Sequence, residues 1–87
     1  MKSTSVAFSP NGKILASGSN SGGTVKLWDV RSGKELKRLT GSFMDAISSV
    51  AFSPDGKTLA GATDNGLIRL WDVDSGKELN ICFGTSF

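Results

Sequence analysis

Leu27-Trp28-Asp29-Val30-Arg31-Ser32-Gly33-Lys34-Glu35-Leu36 returns, with Asp74 in place of Arg31 as its one change, as Leu70-Trp71-Asp72-Val73-Asp74-Ser75-Gly76-Lys77-Glu78-Leu79, 43 residues on. Upstream, Ser5-Val6-Ala7-Phe8-Ser9-Pro10 returns as Ser49-Val50-Ala51-Phe52-Ser53-Pro54, 44 residues on. Self-similarity at this period marks a repeat architecture, in which one unit cannot bury its own apolar faces and has to stack on neighbours. The change of offset falls where Asn20-Ser21-Gly22-Gly23 is one residue longer than Asp64-Asn65-Gly66. The 87-residue chain holds two such units.

Each unit divides into four short apolar-rich runs separated by turn chemistry, the signature of strands joined by hairpins. The runs fall at 4–9, 13–19, 24–30 and 35–40, then at 48–53, 57–63, 67–73 and 78–83. Pro10-Asn11-Gly12-Lys13 and Pro54-Asp55-Gly56-Lys57 read as tight turns, with proline fixing φ and Asn/Asp-Gly supplying positive φ. No stretch shows helical periodicity with caps. Side-chain parity sets Val25 and Leu27 against Trp28 and Val30, and Ile68 and Leu70 against Trp71 and Val73. Both faces of each sheet are therefore apolar and built for burial, unlike a sheet with one wet face. Short strands, two buried faces and this unit length describe a blade of a β-propeller. The expectation is an all-β chain of two four-stranded antiparallel blades, residues 1–40 and 48–87, joined by a loop at 41–47.

Composition narrows the function. Apolar content of 38% and charged content of 21% fit a globular protein. No apolar run approaches the length that crosses a membrane, and no apolar segment of signal-peptide type precedes the repeat, so the cytoplasm is the default location. A single cysteine, Cys82, excludes an intramolecular disulfide, and its neighbours Ile81 and Phe83 place it in a buried strand. The net charge of +2 is too small to suggest nucleic acid, yet residues 1–43 carry +5 and residues 44–87 carry −3. Two independent solvated surfaces would explain the split. A basic first unit drawn to the acidic second unit of another copy would explain it too.

The Ser-Pro-Asn/Asp-Gly-Lys turns, the Leu-Trp-Asp-Val strand ends and the Ser-Gly-Lys-Glu-Leu hairpins resemble the WD-repeat propellers, and bacterial-type repeats in particular. The resemblance spans nearly the whole chain. It implies a ring of blades acting as a non-catalytic platform for partner proteins, with Trp28, Asp29, Trp71 and Asp72 in structural roles. One departure stands out: the family's usual Gly-His after the fourth strand is Gly41-Ser42 and Gly84-Thr85 here, and the chain has no histidine. The resemblance thus predicts a weakened polar network around the tryptophans, by about 1 kcal/mol for each missing hydrogen bond.

Enzyme chemistry has little to stand on. Without histidine there is no common general base and no imidazole metal ligand. Gly22-Gly23-Thr24-Val25-Lys26 lacks the Gly-Lys-Ser/Thr order of a phosphate loop, and Asp72-Val73-Asp74 lacks the spacing of a calcium loop. No enzyme activity, metal or cofactor is expected. Candidate partner contacts belong on loops: Asn20, Ser21, Ser42, Phe43, Met44, Asp45, Asp64 and Asn65.

Two blades leave two apolar faces uncovered. The step from Gly41 to Ala51 is ten residues, and the step from Gly84 through a following copy to its Ala7 is ten again. Copies placed head to tail would keep the repeat register, and heterologous contacts of this kind close into rings when the rotation permits. The expected partner is the chain itself, as a homotetramer of eight blades or a homotrimer of six, with other proteins bound by the ring and neither nucleic acid nor membrane involved. The alternative is a truncated or engineered propeller fragment, a structural scaffold with no evolved partner.

Overall fold

The computed structural model describes residues 5–18, 24–40, 46–64 and 66–83. The strands are β1 (Val6–Phe8), β2 (Ile14–Gly18), β3 (Thr24–Asp29), β4 (Glu35–Thr40), β5 (Ile47–Phe52), β6 (Thr58–Thr63), β7 (Leu67–Asp72) and β8 (Glu78–Phe83). They form two antiparallel sheets, β1-β2-β3-β4 and β5-β6-β7-β8. The repeat extends to irregularities: the β3–β4 register shifts between Leu27 and Trp28, and the β7–β8 register shifts between Leu70 and Trp71.

The turns explain where strands stop. Ser9, expected within the first strand, instead belongs to the turn after it. Its backbone N–H donates to the Ile14 carbonyl at 2.8 Å, and its hydroxyl accepts from the Ile14 N–H at 3.0 Å. The Ser9 hydroxyl also donates to Asn11 Oδ1 at 2.7 Å, and that oxygen accepts from the Lys13 N–H at 2.9 Å. Ser53, Asp55, Lys57 and Thr58 repeat the network at 2.6–3.0 Å. Asn11 and Asp55 therefore work through their side chains. Positive φ is left to Gly12 and Gly56, both at 74°, and among the described residues only glycines adopt it.

The sheets stack face to face, with β5 against β1 and β2. One face of the first sheet, built by Ala16, Val25, Leu27 and Leu39, packs on the opposite face of the second, built by Val50, Leu59, Trp71 and Val73, and all are buried. Ile47, expected to end the inter-blade loop, opens β5 and fills the seam. A Cβ on Gly18 would lie 2.8 Å from Ile47 Cγ2, so the closeness of the sheets depends on that glycine. Polar bonds cross the seam as well. The Val50 N–H donates to Ser5 Oγ at 3.3 Å, and the Lys37 ammonium donates to the Asp74 carbonyl.

Candidate interaction site

The stacking uses one face of each blade and leaves the other two open. Repeat partners differ in exposure accordingly. Val50 is 7% exposed and its counterpart Val6 is 56%; Val73 is 5% and Val30 is 41%. On the opposite faces, Val25 is fully buried while Ile68 is 36% exposed. Identical or similar residues differ only in whether a neighbouring blade covers them. Each open face is thus the equivalent of a face already packed inside the chain.

The open face of the first blade forms a shallow depression of 330 Å³, lined by Phe8, Leu15, Trp28, Asp29, Val30 and Gly33. The Trp28 indole N–H donates to Ser17 Oγ at 3.0 Å, which holds the ring on its own blade. The Lys26 ammonium lies 5.8 Å from the ring centroid, within cation–π range. On the second blade the open face carries Ile68, Leu70 and Cys82. Cys82 pairs with Ile68 across β7 and β8 and is exposed, contrary to the buried position expected from its neighbours. The neighbours were apolar, but the sheet face to which Cys82 belongs has no cover.

Trp71 has a different environment from Trp28. It is fully buried between the sheets, and its indole N–H donates to the Thr40 carbonyl of the first blade at 3.5 Å. Gly61 stands where Ser17 stands in the first repeat, and a Cβ there would come within 2.8 Å of the Trp71 ring. Sequence reading missed this exchange, although the aligned repeats display it. It also missed Arg69, the counterpart of Lys26. Arg69 is fully buried beside Trp71 and donates to Glu78 Oε2 at 2.5 Å. Its parity with Trp71 was the available signal.

The acidic groups serve the turns. Asp29 accepts from the Ser32 N–H at 2.9 Å and Asp72 from the Ser75 N–H at 2.8 Å. Hydrogen bonds from those serines hold both carboxyls below their ordinary range. The Ser53 hydroxyl does the same for Asp55, and the Arg38 guanidinium for Glu35. Such carboxylates are ionised at neutral pH and suit capping, not proton donation. Among the described residues no group of three or more His, Cys, Asp or Glu is placed to hold a metal ion, and no helix is long and apolar enough to cross a membrane.

Of the candidate loop residues, Asp64 is described: it is exposed, and its N–H donates to the Ala46 carbonyl at 3.2 Å. The β6–β7 turn and the segment leading into β5 therefore meet at one edge of the blade. Asn20, Ser21, Ser42, Phe43, Met44, Asp45 and Asn65 lie outside the described residues.

Comparison with known proteins agrees with this geometry. The family model "WD domain, G-beta repeat" matches residues 3–29 and 33–72. Eukaryotic translation initiation factor 3 subunit I of Neurospora crassa is 41% identical over 58 residues, which are 67% of this chain and 16% of that protein. The F-box-like/WD repeat-containing protein TBL1X of Mus musculus is 44% identical over 48 residues, 55% of this chain and 9% of that protein. Among solved structures, the β-propeller domain of Cps50 (Swd1) from Myceliophteria thermophila superposes with a TM-score of 0.83 at 31% identity, covering 95% of this chain and 27% of that one. The chain spans less than a fifth of either curated relative. These relatives are eukaryotic and give no support to the bacterial-type character expected from the turns.

Proposed function

The chain belongs to the WD-domain, G-beta-repeat family, and from that premise we propose that it is a non-enzymatic propeller unit that completes a ring by head-to-tail self-association and offers the ring as a platform for partner proteins. In this reading residues 1–40 and 48–87 are the two blades and 41–47 connects them. One observation carries the reading: repeat-equivalent residues are buried where a blade covers them and exposed where none does, as with Val50 at 7% and Val6 at 56%. Large apolar side chains exposed together on one sheet face, such as Val6, Phe8 and Val30, mark an interaction surface. Four copies close eight blades, and three copies close six.

In this reading partner proteins meet the loop residues Asn20, Ser21, Ser42, Phe43, Met44, Asp45, Asp64 and Asn65. A relative named as a subunit of a translation initiation factor supports a place in protein assemblies. Capped, ionised carboxylates support a binding role over a catalytic one. Light scattering at micromolar concentration tests the assembly. The mass of four chains is expected, with three chains as the smaller ring, and a well-folded monomer overturns self-association.

A further inference from the structure

We propose that the contact between copies reuses the internal blade junction with a fixed polarity: the Ile68–Leu70–Cys82 face of one copy docks on the Phe8–Leu15–Trp28–Val30 face of the next. The proposal rests on the head-to-tail self-association reading and adds the two surfaces that meet. Inside the chain, Val25, Leu27 and Leu39 pack on Val50, Leu59, Trp71 and Val73. The repeat carries the first set onto Ile68, Leu70 and Cys82, and the second onto Val6, Leu15, Trp28 and Val30. Every one of these exchanges keeps a small or apolar side chain. The molecule therefore displays, on opposite outer faces, both halves of an interface that it already forms once.

Charge sets the direction. Pairing like with like would bring two first-blade faces together and set Lys26, which sits over Trp28, against its own copy. Head-to-tail pairing instead places the half carrying −3 beside the half carrying +5. The two junctions differ in one respect. Trp71 occupies space that opens only because residue 61 is glycine, whereas Ser17 fills the equivalent space and takes the Trp28 indole N–H at 3.0 Å. Trp28 thus stays on its own blade and forms the floor of the receiving face, without the bond to a neighbouring carbonyl that Trp71 makes.

Two substitutions test the polarity, Val30→Glu on the receiving face and Ile68→Glu on the docking face. Both positions are exposed in the single chain, so a carboxylate there is solvated and folding is retained, as circular dichroism would verify. Each variant alone is expected to be monomeric by native mass spectrometry, since each lacks one half of every junction. Mixed in equal amounts they are expected to give a one-to-one dimer and nothing larger, because one intact docking face meets one intact receiving face. A variant that pairs with itself overturns the polarity, and a mixture that stays monomeric overturns the choice of faces. If the unsubstituted chain assembles and both variants still do, this junction is wrong while self-association stands; a monomeric unsubstituted chain overturns self-association itself. Cys82 supplies a readout that needs no loss of assembly. Its alkylation is expected to slow several-fold in the assembled chain relative to Val30→Glu, whose Cys82 face is unaltered, and equal rates would place Cys82 outside the junction.

Discussion

Trp28 and Trp71 hold the same place in their repeats and reach different environments because residue 17 is serine and residue 61 is glycine. The serine binds the indole to its own blade; the glycine lets the ring slide under the neighbouring one. Truncating the buried ring in Trp71→Ala removes contacts on both sheets, and costs of about 3–5 kcal/mol are typical of such changes. That is a large share of the whole stability of a small domain, so unfolding well below the parent melting temperature is expected. Trp28→Ala removes a half-exposed ring and is expected to lower the melting temperature far less while weakening self-association. Thermal unfolding with solution mass for both variants checks the contrast, and equal melting temperatures would contradict it. Gly61→Ser is the reciprocal experiment. It forces side-chain atoms into the Trp71 ring and is expected to cost about 1–3 kcal/mol, the usual range for overpacking. A denaturant midpoint equal to the parent's would show that the ring has room to move.

At the level of strands and hairpins, the chain relies on short polar devices used twice. Asp29 and Asp72 hold the β3–β4 and β7–β8 turns by accepting from Ser32 and Ser75. Their carboxyls sit below the ordinary range, chiefly through those serines. A depressed folded-state pKa stabilises the native chain above the unfolded-state pKa, and this contribution is lost as pH falls through the folded-state value. Stability is therefore expected to be flat from pH 7 to about 5 and to fall below about pH 4, where free aspartate titrates. The double variant Asp29→Asn, Asp72→Asn keeps an acceptor without the titration, and its urea midpoint should depend less on acid; an unchanged acid limb would assign the loss elsewhere. All eight strands were legible in sequence, because the Pro-Asn/Asp-Gly and Ser-Gly signals punctuate them. Ser9 and Ser53, expected within strands, lie where a side chain competes with the ladder for backbone bonds. Burial was only half legible. Parity shows that both faces of a sheet are apolar, but whether Val30 or Val73 is covered depends on a neighbouring blade that parity does not describe. Cys82 was misplaced for the same reason. The loop candidates rested on composition alone, and only Asp64 among them has a place in the described structure.

For the molecule as a whole, two forces act on association between copies, and salt separates them. Burial of the Phe8, Val30 and Ile68 faces is apolar and indifferent to screening. Attraction between the half carrying +5 and the half carrying −3 acts over distances that salt shortens, with a Debye length of ~8 Å at physiological ionic strength and ~3 Å at 1 M. These charges are spread over exposed surfaces, so each pair is worth little, and their sum acts mainly on orientation and encounter. The oligomer fraction measured by sedimentation is therefore expected to fall as sodium chloride rises, with association slowing more than dissociation quickens. Sodium sulfate at equal ionic strength screens the same charges but strengthens apolar burial by its exclusion from protein surface. It should accordingly preserve more of the assembly than chloride does. An oligomer fraction that ignores chloride would leave apolar burial as the whole driving force, and the charge difference between the repeats would then belong to two solvated surfaces.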